Sequence, residues 1–256
     1  MKAIVVIPAR MGASRLPGKP MKPLLGMPMV GHCYHRSSLA EGVSEVFVAT
    51  CDQVIAEYVQ SIGGQVVMTS GLHDRASTRT AEALSIIEKQ QFQNIDIVIM
   101  VQGDEPIITP EAISETIAHF NDPSVSIVNI MSKLKTKKSF LDKNNVKVVV
   151  DSKSNALYFS REAIPSPWKG WKDLPRYMQT GIIAFRREAL INFNALPEAD
   201  LEKYESVDMN RVLENGGTIK MIATPDFTLG VDTEEELNLA EKLLRADKNI
   251  KRYMTL

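Results

Sequence analysis

The stretch Ala3–Pro20, "AIVVIPARMGASRLPGKP", decides how the rest of the chain is read. Over residues 3–9, "AIVVIPA", it is continuous and β-branched, the pattern of a strand buried on both faces of a parallel sheet. Pro8 and Gly12 stop that run. The segment that follows gathers the cations Arg10, Arg15 and Lys19 among glycines and prolines. Ligands of open parallel sheets collect at the carboxyl ends of strands, which is where this loop begins. Gly12 and Gly18 let backbone approach a ligand closely, and the prolines fix the loop's shape. Arginine forks onto two oxygens, lysine adds a point charge, and Ser14 adds a hydroxyl. That donor set matches a polyphosphate; the plainer alternative is a solvated basic turn. The loop is neither a Walker P-loop nor a G-x-G-x-x-G turn.

Outward from this loop, apolar runs alternate with amphipathic ones. The pattern predicts helices over 28–42, 52–64, 77–90 and 109–120, and strands over 45–50, 65–70 and 96–106. Asp52 and Thr109 stand at N-cap positions, with Pro110 in the first turn. Strands alternating with helices of this length form right-handed βαβ units on a parallel sheet. Later the pattern changes. "NVKVVVDSKSNALYFSR" (145–161) reads as two strands about a polar turn, and 165–176 as a long loop carrying Trp168 and Trp171. A strand over 179–185, a helix over 201–217 and a strand over 218–224 follow. In "GVDTEEEL" Thr233 and Glu236 form a capping box for the last helix. The expectation is one α/β domain, 1–256, with a mixed, mostly parallel sheet and a β-hairpin elaboration at about 145–186.

Composition agrees with a globular fold: 256 residues, 44% hydrophobic and 24% charged. The net charge of −1 argues against nucleic acid or an anionic membrane surface as partner, so any anion site is a local cluster. The N-terminal apolar run is too short for a secretion signal, and no run approaches a membrane span, so the expected setting is cytoplasmic. Cys33 and Cys51 fit no metal spacing.

Transfer chemistry on a polyphosphate ordinarily adds a divalent metal held by carboxylates. Asp104, in "VQGDEP" at the end of the most apolar strand, is the first candidate, whereas Glu105 alternates to the other side. Asp232 is the second, and on local grounds it serves equally as a helix cap. "HDRASTRTAEAL" (73–84) leads into a helix, where Ala76 and Ser77 are small enough for a flat base and Arg79 could reach an anion.

Together these segments resemble the CMP-Kdo synthetase family, the 3-deoxy-manno-octulosonate cytidylyltransferases, over almost the whole chain. "IPARMGASRLPGKP", "VQGDEP", "VKVVVDSKSNALYFSREAIP" and "GVDTEEEL" carry the resemblance. It implies a three-layer αβα, Rossmann-like nucleotide-diphospho-sugar transferase fold. It also implies a reaction in which CTP and the anomeric hydroxyl of an acidic sugar give a CMP-sugar and pyrophosphate with Mg²⁺. By the same resemblance Arg10, Ser14, Arg15 and Lys19 hold the CTP phosphates, with Pro8 and Ala9 beside the cytidine. Ala76, Ser77 and Arg79 fall on the cytosine loop, and Asp104 and Asp232 hold Mg²⁺. Gln102, Tyr158, Ser160, Arg161, Gln179 and Asp208 fall in or near the sugar pocket. A homodimer formed through 145–186 is implied too.

The chain departs from the family at three places. The family's S-G-T-E-R reads Arg75-Ala76-Ser77-Thr78-Arg79, which adds a cation at the first position. A family His-Leu-Gly reads Gln179-Thr180-Gly181, and a Glu-Gln-Leu-Arg reads Asp208-Met209-Asn210-Arg211. The last two lie in the family's sugar pocket. Such pockets discriminate through hydrogen bonds to particular substrate groups, so these changes bear on which sugar acid is used. The alternatives are a sugar-1-phosphate nucleotidylyltransferase of the same fold, against which the loop lacks G-x-G-T-R, and a non-catalytic CTP-binding paralogue.

Overall fold

The structure, a computed structural model, describes residues 1–12 and 15–255; Ser14 lies outside the described residues. In chain order the elements are β1 (Ala3–Pro8), β2 (Pro23–Leu24), β3 (Met27–Pro28), α1 (Met29–Ser38), β4 (Val43–Thr50) and α2 (Gln53–Ser61). Then come β5 (Gln65–Met68), α3 (Ala76–Gln91), β6 (Ile97–Val101), α4 (Pro110–Ala118), β7 (Ile127–Lys133) and α5 (Lys137–Leu141). The rest are β8 (Lys147–Val150), β9 (Ala156–Ser160), β10 (Tyr177–Arg186), α6 (Arg187–Ala195), α7 (Asp200–Glu205), α8 (Met209–Glu214), β11 (Lys220–Thr224) and α9 (Glu234–Ala246).

The main sheet runs β11-β7-β10-β6-β1-β4-β5, with β8 on β10 and β9 on β8. β1 is parallel to β4 and β6, while β10 is antiparallel to β6 and β7. This is the mixed, mostly parallel sheet expected, with the hairpin β8–β9 as its elaboration. Burial on both faces of β1 follows from its sequence: Ile4 and Val6 pack on one side, Ala3, Val5 and Ile7 on the other. α3, α6 and α8 cover the first face; α1, α2 and α4 cover the second. The result is three layers, αβα. No described helix is long and apolar enough to cross a membrane.

Two expectations are corrected. The helix over 201–217 is two helices, because Ser206 adopts the left-handed conformation, φ 51°, and closes α7. Buried Glu202 pairs with Arg211 across the break, at 2.6 Å to each oxygen, so the corner is packed rather than frayed. Asp52 precedes α2 but makes no capping bond; its Oδ2 accepts the Met11 N–H at 2.8 Å instead. That bond ties the loop after β1 to the end of β4. Thr109 and Thr233 accept the N–H groups of Ala112 and Glu236 as expected, but the Glu236 carboxylate takes Asp232 N–H at 2.8 Å rather than Thr233 N–H, so only half of the capping box forms.

Candidate active site

The loops after β1, β5, β6 and β11 leave one edge of the sheet, which is also the amino end of antiparallel β10, and the β8–β9 hairpin and the α7–α8 corner bring further residues to it. Gly18 turns the chain with φ +69°, and its N–H returns to Met11 O at 3.2 Å, so the cationic loop closes on itself. Lys19 follows directly. Gly103 packs so tightly against β1 that a Cβ there would lie 3.1 Å from Pro8 O. Asp104 therefore emerges beside the cationic loop. Its carbonyl accepts Val231 N–H at 2.9 Å, which stitches the two acidic segments together.

Lys19 Nζ donates to Asp104 Oδ2 and, at 2.9 Å, to Asp232 Oδ1. Arg15 Nη2 reaches the other oxygen of Asp232 at 2.8 Å, and Arg15 Nη1 donates to Asn144 Oδ1 at 2.8 Å. Burial works to lower the Lys19 pKa, but Asp104 and Asp232 outweigh it and hold the ammonium above its ordinary value. Two carboxylates from distant segments thus converge on one cationic point. Among the described residues no group of three or more His, Cys, Asp or Glu gathers to hold a metal alone. Magnesium commonly takes one or two protein carboxylates and completes its shell with phosphate oxygens and water. Asp104 and Asp232 fit that need.

Around this point open two adjoining chambers, of about 370 and 470 Å³, which share Arg10, Arg15, Lys19, Gln102, Asp104 and Asp232. Pro8, Ala9, Ala76 and Arg79 line the first. Arg79 is almost fully buried and donates to Thr69 Oγ1 at 2.6 Å and Ser70 O at 3.2 Å. Its Nη2 has no hydrogen-bond partner among the described residues. A buried donor without a partner carries a desolvation cost that a ligand acceptor would relieve. Arg10 lies at the rim, donating to His73 O at 3.1 Å. Ser77 does not line the chamber: it is buried and donates to Asp208 Oδ2 at 2.6 Å.

The second chamber is lined by Gln102, Arg161, Gln179 and Asp208, together with Asn144 and Glu105. Tyr158 and Ser160 are not at its surface. Both donate to Glu205 Oε1, at 2.9 and 2.7 Å, while Arg161 N–H takes Glu205 Oε2 at 2.7 Å. Sequence reasoning missed Asn144, whose only signal is its place in a polar loop. Glu105 does turn away from Asp104. Its Oε1 accepts Gly181 N–H at 2.5 Å, and burial, with the Asp104 charge adding, pushes its carboxyl up to about 8. His32 is structural: it bonds Leu24 O at 2.8 Å and Tyr253 Oη at 2.9 Å beneath the core.

A basic loop, two convergent carboxylates and a divided cleft suit a nucleoside triphosphate and a second substrate. Residues 4–222 match the Cytidylyltransferase family. A 3-deoxy-manno-octulosonate cytidylyltransferase of Geobacter metallireducens is 40% identical, across 96% of this chain and 99% of that one. The chain belongs to the CMP-Kdo synthetase family. A second relative in that family, from Shewanella loihica, is named an 8-amino-3,8-dideoxy-manno-octulosonate cytidylyltransferase and is 37% identical, across 96% of this chain and all of its own. The solved CMP:2-keto-3-deoxy-manno-octonic acid synthetase complexed with CTP matches with a TM-score of 0.85 and 35% identity, covering 96% of this chain and 99% of that one.

Proposed function

We propose that this CMP-Kdo synthetase relative transfers the CMP group of CTP to the anomeric hydroxyl of 3-deoxy-manno-octulosonate, releasing pyrophosphate. The observation that carries the reading is the meeting of Lys19 with Asp104 and Asp232 at the junction of the two chambers. CTP occupies the first chamber, with its base against Ala76 and Arg79 and its phosphates on Arg10, Arg15 and Lys19. The sugar acid occupies the second, beside Gln102, Arg161 and Gln179. Its anomeric oxygen forms the new bond to the α-phosphorus, the bond to the β-phosphate oxygen breaks, and the hydroxyl proton is lost to solvent. The chain's own work is positioning and charge neutralisation, as in other transfers at phosphorus. Lys19 stays protonated and offsets charge on the leaving pyrophosphate; Arg15 and Arg10 do so from the rim. Asp104 and Asp232 would hold Mg²⁺, which when bound neutralises phosphate charge and lowers the pKa of a hydroxyl bound to it.

The same reading takes the enzyme to be a cytoplasmic homodimer joined through the hairpin region, supported by outward-facing Leu157 and Trp168. Sedimentation of the purified chain tests that assembly; a monomer at micromolar concentration removes it. The activity is tested by incubating the chain with CTP, Mg²⁺ and 3-deoxy-manno-octulosonate. Pyrophosphate released with the sugar and not without it supports the assignment. Release with a sugar 1-phosphate instead, or with no sugar at all, overturns it.

A further inference from the structure

The corner between α7 and α8 brings together residues that phosphate binding does not call for. Ser206, in its left-handed conformation, accepts Arg161 Nη2 on its carbonyl at 3.3 Å and Arg75 Nη1 on its hydroxyl at 3.2 Å. Two residues on, Asp208 receives Ser77 Oγ on Oδ2 at 2.6 Å and Arg75 Nη1 on Oδ1 at 3.3 Å. Arg75 also reaches Glu198 at 3.4 Å. Arg75 lines both chambers, whereas Asp208 lines the second alone. Their side chains are only 28% and 19% exposed, so the pair is more strongly felt than a surface ion pair. Arg75 stands where the resembled cytosine loop has serine. The added cation thus lies against an acid that neutralises it.

We propose that Arg75 and Asp208 act as one selectivity pair for the part of the sugar acid remote from its anomeric centre, favouring a neutral hydroxylated tail over one that carries an ammonium group. This rests on the cytidylyltransferase reading above. The bond-forming end of the sugar belongs beside Lys19, Asp104 and Asp232, which leaves the α7–α8 wall to the remainder of the molecule. Paired, the two side chains present a donor and an acceptor with no net charge, matched to hydroxyls that both give and take hydrogen bonds. Unpaired Asp208 would attract an ammonium, and unpaired Arg75 would repel one.

The test uses the full chain with CTP and Mg²⁺ and compares kcat/KM for 3-deoxy-manno-octulosonate and its 8-amino-3,8-dideoxy analogue. The parent is expected to favour the hydroxylated sugar. Arg75→Ser should move the ratio towards the amino sugar by about tenfold, and Asp208→Asn should move it the opposite way. The double variant should return to within about threefold of the parent, because the two effects share one interaction. A merely structural corner would lower both sugars together in every variant. Shifts in the same direction, or a ratio that stays put while turnover continues, overturn the pair and leave the activity standing. No pyrophosphate from either sugar with the parent chain would instead overturn the activity, and the pair with it. Arg75→Ser removes a partly exposed side chain at a helix N-cap position, so it decides the matter even where Asp208→Asn disturbs folding.

Discussion

Lys19 Nζ lies 2.9 Å from Asp232 Oδ1, a residue 213 positions further along the chain, and the same ammonium donates to Asp104. The relationship places the cationic loop, the end of β6 and the start of the last helix around one point. A lysine between two carboxylates has its charge enforced, and it balances theirs in turn.

Asp104→Asn is therefore expected to cut pyrophosphate release by at least about a hundredfold, the scale of losing a group aimed at transition-state charge. Lys19→Ala should raise the CTP concentration needed for half-maximal rate. Steady-state kinetics with CTP varied read both. Near-normal turnover in Asp104→Asn would remove the metal assignment, and an unchanged CTP dependence in Lys19→Ala would return the loop to a structural role.

Asp52 restrains the cationic loop through the Met11 N–H. Asp52→Ala leaves that donor to water and loosens the loop, so KM for CTP should rise by several-fold, roughly 3–10, with kcat retained. Asp52→Asn keeps an acceptor and should recover most of the loss. A drop in kcat at unchanged KM would show that the loop's anchor lies elsewhere.

Gly181 is constrained by space rather than by φ. A Cβ there would sit 2.7 Å from Glu105 Oε1 and 2.8 Å from Gln102 Cβ. Gly181→Ala must push apart β6 and β10 at the floor of the second chamber, costing about 1–3 kcal/mol of stability as overpacking does. Denaturant unfolding reads the loss, and sugar KM should rise alongside it. An unchanged midpoint would mean that the Glu105 strap yields freely.

His32 is neutral in the fold, pushed down to about 4 by burial, with the Leu24 carbonyl opposing and Arg36 adding to the lowering. Unfolded, the ring titrates near 6.5, so the unfolded chain binds the proton first. The stability tied to the neutral ring is present above pH 6.5 and is lost as pH falls from there towards 4. The full loss is on the order of 3 kcal/mol. Urea midpoints measured at steps across that window should decline more steeply for the parent than for His32→Gln. Parallel curves would reassign the acid sensitivity to other groups.

Much of the fold could be read locally. The β-branched run before Arg10, the alternation of strands and helices, and the caps at Thr109 and Thr233 are written in short windows, where side-chain period and capping chemistry act. Less legible was β7, whose run is interrupted by Asn129. That side chain is buried and donates to Ile182 O at 2.7 Å and Thr180 O at 3.2 Å, bridging the irregularity in the β7–β10 register. The long-range partners of its amide nitrogen come from β10, about fifty residues away, while its Oδ1 has no hydrogen-bond partner among the described residues. α6 too went unread, since its helical period is short and its buried face depends on β6 and β10.

The site divides along the same line. By itself the sequence determined that a cationic turn follows the first strand, that Asp104 ends the most apolar one, and that Asp232 opens the last helix, because strand ends and helix starts are set by neighbours a few residues away. Tertiary structure alone decided that these three meet. It also withdrew Tyr158 and Ser160 from the chamber surface onto Glu205, turned Asp52 from a helix cap into a loop anchor, and set Arg75 against Asp208. Each of those outcomes is a hydrogen bond between segments far apart in sequence, and its geometry exists only once the sheet order has brought their edges together.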